Sequence, residues 1–144
     1  MNVAVADAVA RTDQAFARNR LLATFASDAR ALLEPASEVV DLPLSTILHS
    51  SGEHVASSYF PFGPTMISLG VELADGRTIE VASIGQEGAV GGIVSCGHAP
   101  AFAHAEVMVP GPALRVPMRL LEEAKMNSGH IRNLFCRFSD YLLA

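Results

Sequence analysis

The chain has 144 residues, two cysteines and a formal net charge of −5, and its length favours a single domain. Half of the residues are hydrophobic and 17% are charged, which excludes a disordered tail and a charge-rich coiled coil. Because nucleic-acid affinity comes mainly from Lys and Arg on phosphates, the acidic balance argues against DNA binding by these residues alone.

The sequence also lacks the signals of membrane insertion and export. No apolar run approaches the ~20 residues of a membrane span, and the segment Met1 to Arg11 has no basic start of a secretory signal. Two cysteines forty residues apart form no disulfide framework. We therefore expect a cytoplasmic protein with no membrane association.

The N-terminal part predicts short helices. Residues 1–18 are Ala-rich and are interpreted as an N-terminal arm or helix. An apolar turn follows Asn19, and Ser27-Asp28 marks a second helix start, because Asp is favoured near the positive end of the helix dipole. Pro35 ends that helix.

The middle of the chain predicts a mainly β fold. Ten of the eleven glycines lie between Pro35 and Pro117, and short runs of β-branched, aliphatic and aromatic residues stand between these breakers. The pattern is typical of a sandwich or barrel. Strands are predicted near 38–42, 46–49, 55–60, 65–73, 77–84, 102–109 and 113–116.

One hairpin register follows from the alternation of apolar residues. A two-residue turn would oppose apolar and polar residues, which cannot share one face. A three-residue turn ending at Gly76 sets Val71 opposite Ile79 and Leu69 opposite Val81, and so buries one face. We predict this second register.

Two helices are predicted after Arg115, with Pro117 in the first turn of one and Ser128-Gly129 as the break and cap before the other. The last helix carries an apolar stripe that packs either on the β-roll or against a second copy of the chain. Its aromatic content favours a homodimer, with residues 128–144 as the start of the dimerisation helix. The predicted dimer interface comprises Ile131, Leu134, Phe135, Phe138 and Leu142.

The segment from Gly85 to Gly92 is rich in glycine and suggests a phosphate cradle, because glycines let backbone N–H groups approach an anion. A tight connection without ligand is the alternative. The absence of a nearby Lys or Arg in the sequence favours the alternative.

Five histidines raise the question of a metal enzyme of the cupin type. No two histidines are separated by one residue, as the usual cupin signature requires, and no GxSxG motif is present. Cys96, His98 and His104 could still converge at a barrel mouth, but loop or surface histidines explain the pattern better. We expect no enzyme, no metal and no cofactor.

The order of several short motifs resembles the sensor half of Crp/Fnr-type bacterial transcription regulators over residues 19–144. The matching motifs are Asn19-Arg20-Leu21-Leu22, Gly52-Glu53, Tyr59-Phe60-Pro61, Asp75-Gly76-Arg77, Gly85 to Gly91, Pro110-Gly111 and the helix from Met118. The resemblance implies a cyclic-nucleotide-binding domain, a double-stranded β-helix or jelly roll over 19–127 with a C-terminal helix. It also implies a sensory role, with DNA contacted only by a helix-turn-helix domain that these residues do not include.

Two positions depart from ligand-binding members of that family. Gly92 stands where a Glu would bind the ribose, and Phe102 stands where an Arg would bind the cyclic phosphate. Loss of that charge-assisted contact costs about 1.5–3 kcal/mol, so we expect a degenerate pocket unless His104 supplies the cation. The resemblance places the pocket at Gly85, Glu87, Gly88, Ala89, Val90, Gly91, Gly92, Phe102 and His104.

Three functions thus stay open from the sequence. The first is a regulatory sensor with an unidentified effector. The second is a solitary small-molecule or interaction domain whose pocket Phe102 fills. The third is the metal-dependent cupin-like enzyme.

Overall fold

The computed structural model describes residues 3–91, 101 and 103–143, with side chains described as far as Phe138. Within this part of the chain, the helices are α1 (Val3–Arg18), α2 (Ser27–Leu33), α3 (Met118–Asn127) and α4 (Gly129–Leu143). The strands are β1 (Glu38–Leu42), β2 (Ile47–His49), β3 (Ser57–Pro61), β4 (Met66–Glu72), β5 (Thr78–Ile84), β6 (His104–Val109) and β7 (Gly111–Pro117). Short 3-10 turns at Leu22–Thr24 and Glu34–Ala36 flank α2.

The strands form two antiparallel sheets, one in the order β1-β7-β3 and the other in the order β2-β6-β4-β5. The helices flank this roll at both ends of the chain, so the predicted fold class is confirmed. All seven predicted strands occur, and their bounds differ from the expected ones by at most two residues. None of the helices in the described ranges is long and apolar enough to cross a membrane.

The hairpin between β4 and β5 confirms the predicted turn and half of the predicted register. Gly76 has a φ of +87°, as a three-residue turn requires, and Val71 lies opposite Ile79. Leu69, however, pairs with Ala82 and not with Val81. Val81 is the extra residue of a β-bulge, a feature that alternation alone does not reveal.

The expectation that this register buries a whole face is wrong at its outer end. Ile79 and Val81 are 48% and 49% exposed, because β5 lies at the edge of its sheet. Ile67 and Leu69 in β4 are buried. Burial therefore follows the position of a strand in the sheet as well as the alternation along it.

The helix predictions are largely confirmed. Residues 3–18 form a helix rather than an arm, and its last turn buries Phe16. Pro35 lies in the 3-10 turn that follows α2. Ser128 caps α4, since its Oγ accepts a hydrogen bond from the Ile131 N–H at 3.2 Å.

Aromatic contacts join the last helix to the roll. Phe135 of α4, Phe60 of β3 and Phe25 ahead of α2 meet edge to face, with ring centroids 6.3–6.5 Å apart. Such pairs add about 0.5–1.5 kcal/mol each to the burial of the rings. The cluster fixes α4 against the sheet that contains β3.

The predicted dimer face is thereby occupied within the chain. Ile131, Phe135 and Phe138 are buried to 1%, 2% and 8% exposure, and Leu134 is half-buried. In this arrangement the three buried side chains belong to the core of the chain itself and are not available to a second copy. The side chain of Leu142 lies outside the described residues, and homodimerisation stays a prediction.

Candidate functional site

The glycine-rich segment, residues 85–91, begins with a closed turn after β5. The Gly88 N–H donates to the Gly85 carbonyl at 3.2 Å, and the Glu87 carboxylate accepts from the Gly85 N–H at 3.0 Å. A phosphate at that N–H would have to displace a carboxylate of the same segment. At this point the hydrogen-bonding groups of the turn are therefore paired within the turn itself.

The rest of the glycine-rich segment is joined to β3. Val90 and Tyr59 exchange backbone hydrogen bonds of 2.7 and 2.9 Å, and the Ser58 hydroxyl donates to the Val90 carbonyl at 3.4 Å. Ala89 and Val90 are each 1% exposed. These two predicted pocket residues thus belong to the core.

Gly91 needs to be glycine at the point where the segment passes β3. Its φ is +107°, and a Cβ there would stand 2.6 Å from the Ser57 carbonyl oxygen. Both the backbone conformation and the close approach exclude a side chain. Gly91 is therefore fixed in position beside β3.

Asn19 holds the turn from the other side. This residue is fully buried, and its Nδ2 donates to the carbonyls of Gly88 and Pro61 at 2.8 Å each. Its Oδ1 accepts from the N–H groups of Leu21 and Leu22 at 3.0 and 3.1 Å. One amide side chain thus links the first 3-10 turn, the end of β3 and the glycine-rich segment.

The last helix touches the same glycine. A Cβ on Gly88 would stand 2.3 Å from the Cζ of Phe138, so the ring of Phe138 lies directly on the Gly88 backbone. Phe138 is 8% exposed. Gly88 is therefore held between Asn19 and α4.

Of the three remaining predicted pocket residues, the structure describes one, His104. His104 begins β6, pairs with Gly70 and is half-buried. Gly92 and Phe102, which are expected to stand in place of the ribose-binding Glu and the phosphate-binding Arg, lie outside the described residues, as do Cys96 and His98. The structure thus places six of the nine predicted pocket residues in the segment 85–91 and one, His104, on β6.

His49 is a site residue that the sequence analysis missed. It is not a loop or surface histidine, since it ends β2 with 9% exposure, and neither ring nitrogen has a hydrogen-bond partner among the described residues. Burial lowers the pKa of His49, and His104 adds to that. Glu53 and the nearby Ala103 carbonyl oppose it, although that carbonyl does not meet hydrogen-bond geometry with either ring nitrogen. Strand alternation gave no signal for this burial, because Ile47, two residues earlier in β2, is 45% exposed and the pairing with β6 shifts between the two residues.

His49 lines a small cleft, which we call the His49 cleft. The cleft has a volume of about 140 Å³. Its lining consists of Leu48, His49, Glu53, His54, Val55, Ala56, Ser57 and Tyr59. Within residues 3–91, 101 and 103–143, no three His, Cys, Asp or Glu side chains are grouped so as to hold a metal ion.

Comparison with known proteins gives the fold and no sequence relative. No family model and no curated protein matches the sequence. The structure is similar to the regulatory subunit of a cAMP-independent protein kinase A from Trypanosoma cruzi bound to guanosine, with a TM-score of 0.73 and 18% identity over 92% of this chain and 47% of that one. The chain thus spans about half the length of that subunit.

Two domains of transcriptional regulators match over most of their own length. The sensor domain of the transcriptional regulator DNR from Pseudomonas aeruginosa has a TM-score of 0.72 and 13% identity, covering 92% of this chain and 89% of that one. The N-terminal domain of a transcriptional regulator from Streptomyces coelicolor has a TM-score of 0.61 and 19% identity, with 90% of each chain covered. The chain therefore has the fold of cyclic-nucleotide-binding domains, including sensor domains of Crp/Fnr-type regulators.

Proposed function

We propose that this domain is the sensory part of a Crp/Fnr-type transcription regulator, with a degenerate cyclic-nucleotide pocket, and that it signals through its C-terminal helix. The observation that carries the proposal is the contact of Phe138 with Gly88. The fold neighbours are regulatory or binding domains rather than enzymes, which supports a regulatory role.

The contact supports signalling because the glycine-rich segment cannot move independently of α4. The Gly88 carbonyl is bound by Asn19, and its α-carbon is covered by Phe138. A packed interface of this kind has discrete arrangements rather than continuous ones. A ligand that repositions residues 85–91 would therefore shift the equilibrium between positions of α4.

The degenerate pocket is supported by charge. Gly92 and Phe102 carry no group for a ribose or a cyclic phosphate, and Glu87 presents its carboxylate to the Gly85 N–H. The glycine-rich segment, with Ala89 and Val90 as its core-packed part, would form a pocket for a different effector together with Gly92, Phe102 and His104. No cofactor is part of the proposal.

The proposed partners, DNA and a second copy of the chain, follow from the net charge and from the position of α4. DNA would be contacted by a helix-turn-helix domain of the regulator, because these 144 residues carry a net charge of −5. A homodimer of the cytoplasmic regulator would require surface other than Ile131, Phe135 and Phe138, or release of α4 from the roll.

A double-mutant cycle tests the coupling without any ligand. Gly88→Ala should destabilise the domain by about 1–3 kcal/mol, because its methyl group collides with the Phe138 ring, and should speed hydrogen exchange along α4. In the Phe138→Ala background the same change should cost less, giving a coupling of at least about 1 kcal/mol.

Phe135→Ala provides the matched control, since Phe135 belongs to the same helix but packs on Phe25 and Phe60. Its cost should add to that of Gly88→Ala. Additive energies for Phe138 as well, with unchanged exchange of α4, would refute signalling through this contact.

A further inference from the structure

The His49 cleft is lined by a buried imidazole without hydrogen-bond partners in the described part of the chain, which is unusual in a protein interior. His49 is nine-tenths buried, and both of its ring nitrogens lack partners among the described residues. A buried polar group without a hydrogen bond costs about 1–3 kcal/mol. Such a group facing a cleft is typically satisfied by what enters the cleft.

The size of the cleft limits what can enter. A volume of about 140 Å³ corresponds to about four or five water-sized groups, at about 30 Å³ for each water. The cleft is thus larger than one structural water needs. It is too small for a nucleotide.

The lining also selects the charge of the occupant. Glu53 is an exposed lining residue, and no Lys or Arg is among the described lining residues. The His49 imidazole is kept neutral by burial, so it offers one acceptor nitrogen and one N–H. A carboxylate and a neutral imidazole favour a ligand that donates hydrogen bonds and carries no negative charge.

We propose that the His49 cleft binds a small N–H-rich cation of the guanidinium or amidine class, with His49 and Glu53 as the recognition residues. The location links the cleft to the glycine-rich segment, because its lining residue Tyr59 exchanges two backbone hydrogen bonds with Val90. The claim that the occupant of the cleft acts as an effector rests on the proposed function. The claim that the cleft binds such a cation does not.

The test is a titration of the folded protein, labelled with ¹⁵N-histidine, by guanidinium at low millimolar concentration near neutral pH. We expect a saturable shift of the His49 ring nitrogens and no saturable shift for the exposed His130. Urea, which has the same shape without the charge, should bind more weakly, and inorganic phosphate should not bind.

Variants identify the recognition residues. Glu53→Gln should weaken guanidinium binding by at least about threefold, as expected for a partly exposed ion pair. His49→Phe should abolish the saturable response; in this variant, which lacks the His49 ring, the response is measured at the backbone amide of Tyr59. His49→Gln serves if the Phe variant does not fold, and His130→Gln is the control that leaves binding unchanged.

A linear response to salt, equal binding of phosphate, or no effect of Glu53→Gln would overturn the proposal and leave the cleft as a water site. Failure here is separable from failure of the proposed function, because the Gly88 and Phe138 cycle needs no ligand.

Discussion

Asn19 is a residue whose whole hydrogen-bonding capacity is used at one junction. Its side chain makes four hydrogen bonds in a fully buried position. Asn19→Ala leaves two carbonyls and two N–H groups without these partners. Each such group costs about 1–3 kcal/mol, and costs within one cluster do not simply add.

We therefore expect Asn19→Ala to lower the free energy of unfolding by about 3–5 kcal/mol in urea titrations. Thr24→Val is the matched control, because the Thr24 side chain makes one hydrogen bond, to the Leu21 carbonyl, and its loss should cost about 1 kcal/mol. Equal losses for the two variants would contradict the role assigned to Asn19.

His49 also makes a prediction at the scale of one residue. Burial lowers its pKa below the ordinary value of 6.5, so the folded state binds fewer protons than the unfolded state between the two pKa values. Stability is therefore greatest above about pH 6.5 and falls as the pH drops below it, by at most about 1.4 kcal/mol per unit.

Urea unfolding of the wild type and of His49→Phe, at several pH values from about 5 to 8, measures this contribution. Glu53, which favours the imidazolium, and His104, which opposes it, are present in both proteins. The variant should lose less stability on acidification. Parallel curves for the two proteins would show that His49 does not titrate differently on folding.

At the scale of the element, α4 begins at a side-chain cap and is held by aromatic packing. Ser128 Oγ accepts from the Ile131 N–H, so Ser128→Ala should cost about 0.5–2 kcal/mol. Hydrogen exchange in the first turn of α4 should accelerate most. Thr12→Ala, at a half-buried position in the middle of α1 where the hydroxyl donates to the Ala8 carbonyl, is the control, and it should be neutral or slightly stabilising.

At the scale of the whole molecule, the order of helices and strands was predictable because breakers and alternation mark each element locally. Gly76 indicated the hairpin turn, and Ser128 indicated the cap of α4. Two features were not predictable from local pattern. The bulge at Val81 depends on pairing with β4. The buried face of α4 depends on the packing of Phe135 against Phe25 and Phe60, which are distant in the sequence.

The candidate site was predictable only in part, for a related reason. The glycines of residues 85–91 mark this segment as a candidate site in the sequence. The residues that contact Gly88, however, are Asn19 and Phe138, which lie about seventy residues before it and fifty after it. His49 was grouped with the surface histidines because its burial arises only when β2 pairs with β6. Long-range pairing, not composition, creates the site.

The nucleotide chemistry of the whole domain yields the last prediction. Calorimetry with cyclic AMP should show no micromolar binding to the wild type, because Gly92 and Phe102 supply neither the ribose acceptor nor the phosphate cation. Gly92→Glu with Phe102→Arg restores both groups and should recover about 1.5–3 kcal/mol of affinity per charged contact. Phe102→Arg with Gly92 retained is the matched control, and it should recover only the phosphate contact. Tight binding by the wild type would mean that another residue, with His104 as the first candidate, carries the phosphate, and the degenerate pocket would be refuted.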